Sequence, residues 1–237
     1  MTAHPVEKLE SRVLLAATLN NAGLLAVTGT RKADTIFVTY GPDRLDTLFV
    51  RINKDEFAFD FADVKQITVQ AGALGDHVEF RAFATNPDHF KIPTTIFGST
   101  GDDFILAAGS RNRVYGGTGN DKIVAGFSRD IVYGEEGDDT IDGGQGNDYL
   151  RGGEGNDKIT GGLGLDQLYG DEGADTFYTR ADLPFRAVDN LLIERMFLLQ
   201  NAFDRVDGGA GRDSADSDST DRLISIERTF QVSGPEV

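Results

Sequence analysis

From Gly98 to Tyr178 the chain is a tandem repeat of nine residues with no insertion. The nine units read GSTGDDFIL, AAGSRNRVY, GGTGNDKIV, AGFSRDIVY, GEEGDDTID, GGQGNDYLR, GGEGNDKIT, GGLGLDQLY and GDEGADTFY. The eighth position is apolar in every unit, and the sixth is Asp in all but one. Each unit is too small to bury its apolar residue alone, so the fixed period predicts a stack of coils.

Each unit divides into a turn and a strand. Glycines at the first, second and fourth positions permit positive φ, which allows the first six residues to make a tight turn. The last three residues form a short strand whose middle side chain faces the core. We therefore predict an all-β fold, a parallel β-solenoid. The main alternative, a flexible Gly-rich linker, gives no reason for an apolar eighth position.

The repeat resembles the hemolysin-type, or RTX, calcium-binding nonapeptide G-G-x-G-x-D-x-U-x, in which U is a large apolar residue. Every defined position is matched by the units that begin at Gly116, Gly143, Gly152 and Gly161. The resemblance implies a parallel β-roll with two nonamers per coil and Ca²⁺ ions between turns that are two units apart along the chain. Calcium takes six to eight oxygen ligands, which Asp carboxylates and turn carbonyls supply.

The period of two units per coil separates the turns into two stacks. The odd stack, which consists of the first, third, fifth, seventh and ninth units, keeps glycine at positions one and four of all five turns. We expect it to hold about four ions, one in each gap between neighbouring turns. Its predicted metal-site residues are Asp103, Asp121, Asp139, Asp157 and Asp175, with Gly101, Gly119, Gly137 and Gly155. A solenoid of this kind without metal is disfavoured, because crowded carboxylates repel one another unless a cation intervenes.

The even stack is less regular. Its first two turns, AAGSRN and AGFSRD, lose glycines and place Arg111 and Arg129 at the fifth position, where a guanidinium could take the space of an ion. We therefore expect calcium near Asp148, with Gly146, and near Asp166, and regard Asp130 as the weakest candidate ligand. The ninth positions of this stack, Tyr115, Tyr133, Arg151 and Tyr169, predict a row of stacked side chains or, alternatively, a ligand-binding aromatic ladder.

We divide the chain into an N-terminal segment (1–20), a β-rich N-terminal part of the solenoid (21–97), the calcium-binding roll (98–178) and a C-terminal cap (179–237). The runs DTIFVTY, TLFVRI and EFAFDF predict a three-stranded N-terminal β-meander. Asp34 and Asp76 occupy the sixth position of two weakened repeats in this part, which suggests that the roll begins before residue 98.

The C-terminal cap contains two features. Leu192, Met196, Leu199 and Phe203 have helical spacing, which predicts a helix over residues 186–203 that covers the end of the solenoid or, alternatively, binds a partner or a membrane surface. One degenerate repeat, GGAGRDSAD, begins at Gly208 and places Asp213 at its sixth position.

Composition narrows the range of partners. The chain has 39 acidic and 23 basic residues and a formal charge of −16, so it repels nucleic acid and anionic lipid and attracts cations. It has no cysteine, which excludes disulfides and thiolate metal sites. No apolar run is long enough for a membrane span.

We find no motif for catalysis in the sequence. H-E-x-x-H and G-x-S-x-G are both absent, which argues against a zinc protease of that kind and against a lipase. We therefore expect a calcium-binding structural or surface protein that is not an enzyme. The alternative is a calcium-dependent polysaccharide-active enzyme, or its accessory module, with a cell-surface or matrix polysaccharide as partner.

One further resemblance lies near the N-terminus. The stretch LESRVLLA, residues 9–16, is similar to the L-E-P-R-x-L-L motif found near the start of some bacterial surface and secreted proteins, with Ser11 in place of the proline. The resemblance implies an extracellular or cell-surface location in a bacterium.

Overall fold

The computed structural model describes residues 16–40, 46–81, 92–107, 111–178, 205–216, 222–224 and 228–230. The strands are β1 (Ala16–Leu19), β2 (Leu24–Thr28), β3 (Thr35–Tyr40), β4 (Thr47–Ile52), β5 (Asp55–Asp60), β6 (Gln66–Ala73), β7 (His77–Arg81), β8 (Thr94–Thr100), β9 (Phe104–Leu106), β10 (Asn112–Thr118), β11 (Lys122–Val124), β12 (Ile131–Glu136), β13 (Thr140–Asp142), β14 (Tyr149–Glu154), β15 (Lys158–Thr160), β16 (Gln167–Glu172), β17 (Thr176–Tyr178), β18 (Arg205–Asp207), β19 (Ser214–Asp216), β20 (Arg222–Ile224) and β21 (Arg228–Phe230). A 3₁₀ turn spans Phe61–Asp63.

These strands form two sheets that the chain visits alternately. One sheet has the order β1-β2-β6-β8-β10-β12-β14-β16-β18-β20, and the other has the order β21-β19-β17-β15-β13-β11-β9-β7-β3-β4-β5. Successive strands of the roll pair in parallel with a shift of two nonamers, as in Val114↔Val132 and Ile123↔Ile141. The fold is therefore the all-β parallel roll that the period predicts, with two nonamers in each coil.

The core is a double column of eighth-position side chains. All nine have no exposed surface: Ile105, Val114, Ile123, Val132, Ile141, Leu150, Ile159, Leu168 and Phe177. Each coil contributes one apolar side chain from each sheet, and burial of each stabilises the fold by about 1.5–3 kcal/mol. The roll consequently has a narrow core in which every coil depends on its neighbours.

The predicted meander is present at the N-terminal end. β3, β4 and β5 pair antiparallel in sequence order, and β1 pairs antiparallel with β2 at the matching end of the other sheet. Between these additions, β2 and β3 pair in parallel with β6 and β7, so the parallel coils extend upstream of Gly98. Antiparallel strands thus form the edge of both sheets at this end of the roll.

The coils also continue beyond Tyr178. β18 and β19 pair in parallel with β16 and β17 across a longer connection than the nonamers use, as in Leu168↔Val206 and Phe177↔Ala215. The degenerate repeat from Gly208 is therefore a further coil of the roll. The helix predicted over residues 186–203 lies outside the described residues. Within the segments that the structure describes, no helix is long and apolar enough to span a membrane.

Candidate metal centre

The sixth-position carboxylates of the odd stack form one continuous row inside the turns. Asp103, Asp121, Asp139, Asp157 and Asp175 are each at most 2% exposed. The backbone N–H of each donates to Oδ1 of the next Asp along the row, as from Asp103 to Asp121 (2.8 Å) and from Asp121 to Asp139 (2.7 Å). One oxygen of every carboxylate is therefore held by the neighbouring coil, which fixes the direction of the other.

The second oxygen, Oδ2, is the chemically unusual atom. In Asp103, Asp121, Asp139, Asp157 and Asp175 it is buried, with no hydrogen-bond partner among the residues that the structure describes. Burial raises the pKa of Asp121, Asp139 and Asp175 to about 7, against the opposing effect of the backbone hydrogen bond. A buried, unsatisfied carboxylate oxygen is costly unless it meets a proton or a cation.

A backbone carbonyl faces the same place as Oδ2. A Cβ atom placed on Gly116, the first residue of its unit, would lie less than 3.0 Å from both Asp121 Oδ2 and the carbonyl oxygen of Gly134 on the next coil. An equivalent pair of oxygens surrounds Gly98, Gly134, Gly143 and Gly170. Glycine at the first position thus leaves room for a carboxylate oxygen and a carbonyl oxygen to lie beside the same point.

These donors fit a hard divalent cation. Among the described residues, no group of three His, Asp or Glu side chains converges on one point, so backbone carbonyls must supply much of any coordination shell. Oxygen-only ligation that mixes carboxylate and carbonyl groups is typical of calcium, which accepts irregular geometry. The residues present therefore fit Ca²⁺ in the spaces beside the first-position glycines.

The predicted fourth-position glycines lie where two neighbouring coils are in close contact. Gly137 has a φ of 132°, and a Cβ atom on it would lie less than 3.0 Å from the carbonyl oxygen of Gly119 on the preceding coil. Gly101, Gly119, Gly155 and Gly146 also have positive φ. These residues allow the turns to stack at the spacing of the sheets.

The even stack contains the same kind of row. Asp130 N–H donates to Asp148 Oδ1 (2.8 Å), and Asp148 N–H donates to Asp166 Oδ1 (2.8 Å). Burial raises the pKa of Asp148 to about 7 and that of Asp130 to about 8. Asp148 and Asp166 follow first-position glycines, Gly143 and Gly161, whereas Asp130 follows Ala125.

The suggestion that arginine side chains take the place of an ion in the first two even turns is wrong. Arg111 and Arg129 are both exposed, so their guanidinium groups do not occupy the interior of the turns. The difference lies at the first position, where Ala107 and Ala125 are buried. Their methyl groups stand at the position where glycine leaves space in the other turns. The prediction cited both the lost glycines and the fifth-position arginines, and the structure points to the glycine lost at the first position.

The odd row extends beyond the predicted ligands at both ends. Asp76 N–H donates to Asp103 Oδ1 (2.6 Å), and Asp34 N–H donates to Asp76 Oδ1 (2.6 Å). At the other end, Asp175 N–H donates to Asp213 Oδ1 (3.0 Å). Asp34 differs from the rest, because its two oxygens accept hydrogen bonds from Asn53 Nδ2 (2.7 Å) and from the backbone N–H of Thr30.

The ninth-position aromatic residues of the even stack pack against one another. The rings of Phe97 and Tyr115 are 4.9 Å apart and 5° from parallel, and those of Tyr115 and Tyr133 are 5.2 Å apart and 9° from parallel. Tyr149 continues the row beside Arg151 and contacts both Tyr133 and Tyr169. Because Tyr115 is stacked between neighbours on both sides, neither face of its ring is available for a ligand.

A stack of parallel coils with rows of buried carboxylates facing turn carbonyls defines a β-roll that binds hard cations in its turns. Residues 94–123, 115–150 and 142–177 match the family model of the RTX calcium-binding nonapeptide repeat, which describes four copies. This part of the chain is therefore a hemolysin-type RTX region, and it binds several Ca²⁺ ions. No curated protein and no solved structure matches the chain significantly.

Proposed function

We propose that the chain is a non-enzymatic structural protein of the bacterial surface or exterior, whose roll folds around its calcium ions. The observation that supports this most directly is the buried Oδ2 of each odd-stack Asp from Asp103 to Asp175, which faces a turn with no proton donor for it among the described residues. A cation satisfies this oxygen and the carbonyl of the next coil, and so joins two coils. Calcium thus acts as part of the core of the roll.

Coupling between calcium and folding follows from the balance of forces in each coil. The apolar core is narrow, and the row of carboxylates alongside it resists ionisation, as the raised pKa values of Asp121 and Asp139 indicate. The free energy of ion binding to the folded state adds directly to its stability. The affinity expected for an extracellular module is a Kd of roughly 10⁻⁴ to 10⁻³ M.

We place the ions beside the predicted ligands that follow a first-position glycine. These are Asp103, Asp121, Asp139, Asp157 and Asp175 in the odd stack, and Asp148 and Asp166 in the even stack. Asp130 remains the weakest candidate, because Ala125 places a methyl group beside it. The double variant Asp148→Ala/Asp166→Ala should lose the even-stack ions and keep those of the odd stack, as counted by native mass spectrometry.

The non-enzymatic role is supported by the place of the acidic residues in the repeat, since turn position accounts for the sixth-position carboxylates without a catalytic pair. The extracellular location is supported by the resemblance of residues 9–16 to a motif of exported proteins. The polysaccharide-directed alternative predicts turnover or binding of an acidic polysaccharide that a chelator abolishes.

A calcium titration followed by circular dichroism, starting from chelated protein, tests the proposal. We expect a cooperative gain of β-sheet signal at submillimolar to millimolar calcium. A chain that has its full β-sheet signal in excess chelator, and does not change on addition of calcium, would show that the roll is stable on its apolar core alone. Native mass spectrometry of the same samples separates ion binding from folding.

A further inference from the structure

Asn112 is the single sixth-position residue of the nine units that is not an aspartate. Its side chain is buried, and its Nδ2 donates a hydrogen bond of 2.9 Å to the carbonyl oxygen of Ala125. Ala125 is the first residue of the next even-stack unit, one coil after Ala107. The contact therefore joins two neighbouring coils through the interior of a turn.

The equivalent atoms in the other units are two oxygens. In the unit that begins at Gly116, the corresponding pair is Asp121 Oδ2 and the carbonyl oxygen of Gly134. Two such acceptors need a cation or a proton between them, whereas the amide of Asn112 supplies its own N–H. The space also differs, because Ala107 adds a methyl group where Gly116 has none.

A second amide stands at the start of the odd row. Asn53, in the tight turn between β4 and β5, donates through Nδ2 to Asp34 Oδ1 (2.7 Å), and its own Oδ1 accepts from the backbone N–H of Thr35 (2.9 Å). Asp34 is the first aspartate of that row, and Asn112 is the first residue of the even row. The Asn53 amide thus supplies the hydrogen bond that a backbone N–H gives to Oδ1 elsewhere in the row, whereas the Asn112 amide bonds a carbonyl of the kind that faces Oδ2 in the other units.

We propose that the Asn112 amide takes the place of calcium at the N-terminal end of the even row, so that the Ala125 carbonyl oxygen is satisfied without metal. The inference rests on the proposed function for the gaps that follow. It makes the contact between Asn112 and Ala125 a calcium-independent start of the even row, on which the calcium-dependent coils stack. In the even row, calcium binding then begins beyond Asn112.

The test compares Asn112→Asp with Asn120→Asp in saturating calcium. Asn120 is an exposed fifth-position residue of the neighbouring unit, where Asp102 and Asp138 show that aspartate is accommodated, so it matches the change in charge. We expect N112D to lower the Tm by roughly 5 °C or more relative to N120D, because it removes the donor and buries a carboxylate against Ala125. The double variant Ala107→Gly/Asn112→Asp should bind one more ion than the wild type, as counted by native mass spectrometry. Its Tm should be higher than that of N112D and close to that of N120D.

Equal Tm values for N112D and N120D, or a double variant that binds no additional ion, would overturn the proposal. If N112D does not fold, Asn112→Ala against Asn120→Ala gives the same comparison without added charge. If the wild type binds no calcium, the proposed function fails, and the Tm difference still decides whether the Asn112 amide joins the coils.

Discussion

Asp138 and Asp139 are adjacent in the chain, yet their carboxylates bond to opposite neighbouring coils. Asp138 Oδ1 accepts from the backbone N–H of Asn156 on the following coil (2.7 Å), whereas Asp139 Oδ1 accepts from that of Asp121 on the preceding coil (2.7 Å). The hydrogen bonds to Asn156 lower the pKa of the exposed Asp138, and burial raises that of Asp139 to about 7. Each odd turn is thus tied in both directions, with an exposed row beside a buried one.

This pair provides a matched test of the metal ligands. Asp139→Asn removes one buried carboxylate charge and should reduce the number of bound calcium ions by one, as counted by native mass spectrometry. Asp138→Asn makes the same chemical change at the exposed neighbour, where Asn120 and Asn156 already occupy the equivalent position, and should leave the ion count unchanged. Equal ion counts for the two variants would contradict the assignment of Asp139 as a ligand.

Calcium binding should release protons near neutral pH. A carboxyl with a pKa of about 7, such as those of Asp121, Asp139 and Asp175, is roughly three-quarters protonated at pH 6.5 in the metal-free roll and must ionise to bind the ion. The apparent affinity should therefore decrease as the pH falls below about 7. Isothermal titration calorimetry in two buffers of different ionisation enthalpy measures the released protons, and release should be small at pH 8.5.

The same pKa values determine how the metal-free roll responds to pH. The folded pKa of these carboxyls lies above the unfolded value of about 4, so their contribution to stability is complete below pH 4 and is lost as the pH rises through about 7. In chelator, acidification from pH 8 to pH 5 should therefore increase the β-sheet signal or the Tm. A metal-free chain that loses structure over this range would contradict the burial of the carboxyls.

Two substitutions in the turn that contains Gly137 should change the free energy of unfolding in opposite directions. Gly137→Ala places a Cβ atom against the Gly119 carbonyl at a φ of 132° and should lower the free energy of unfolding by about 2 kcal/mol or more. Glu135, two residues earlier, has a φ of 82°, so Glu135→Gly should raise it by up to about 1 kcal/mol. Urea unfolding in saturating calcium measures both changes.

Magnesium should replace calcium poorly. The oxygens around each space come from turns whose positions are set by the strand pairing, and Mg²⁺ requires a small, nearly ideal octahedral shell. In the circular dichroism titration, millimolar magnesium should give a minor part of the signal change that calcium gives. A full change with magnesium at the same concentration would indicate screening of the net charge of −16 in place of site binding.

Much of the fold was predictable because the repeat is local and regular. The apolar eighth position, as in Ile123 and Val132, requires a side chain that points inward once per nonamer, and the structure buries both completely. The runs that form β3, β4 and β5 also predicted the meander, because alternating β-branched and aromatic residues separated by turns indicate antiparallel strands. The inference needed only the neighbours of each residue along the chain.

The details of the candidate site required contacts between coils. Sequence position alone did not reveal that Asp121 Oδ2 shares its space with the Gly134 carbonyl, or that Ala125 accepts the Asn112 amide in an equivalent place. The exposure of Arg129 likewise depends on how the turn is stacked, because an arginine side chain can reach either side of a turn. Sequence spacing could not show which side.

The sequence by itself determined the period and the inward eighth position, because these depend on residue types at fixed spacing, and its resemblance to the RTX repeat implied two nonamers per coil, the two stacks of turns and calcium as the ion. Only the tertiary structure decided which oxygen of each aspartate is left for the ion, that the row continues from Asp175 to Asp213, and that Asn53 and Asn112 stand at the beginnings of the rows. The physical reason is that every space for an ion lies between coils. Its contents depend on which residues the stacking of coils brings together, and not only on the residues of one repeat.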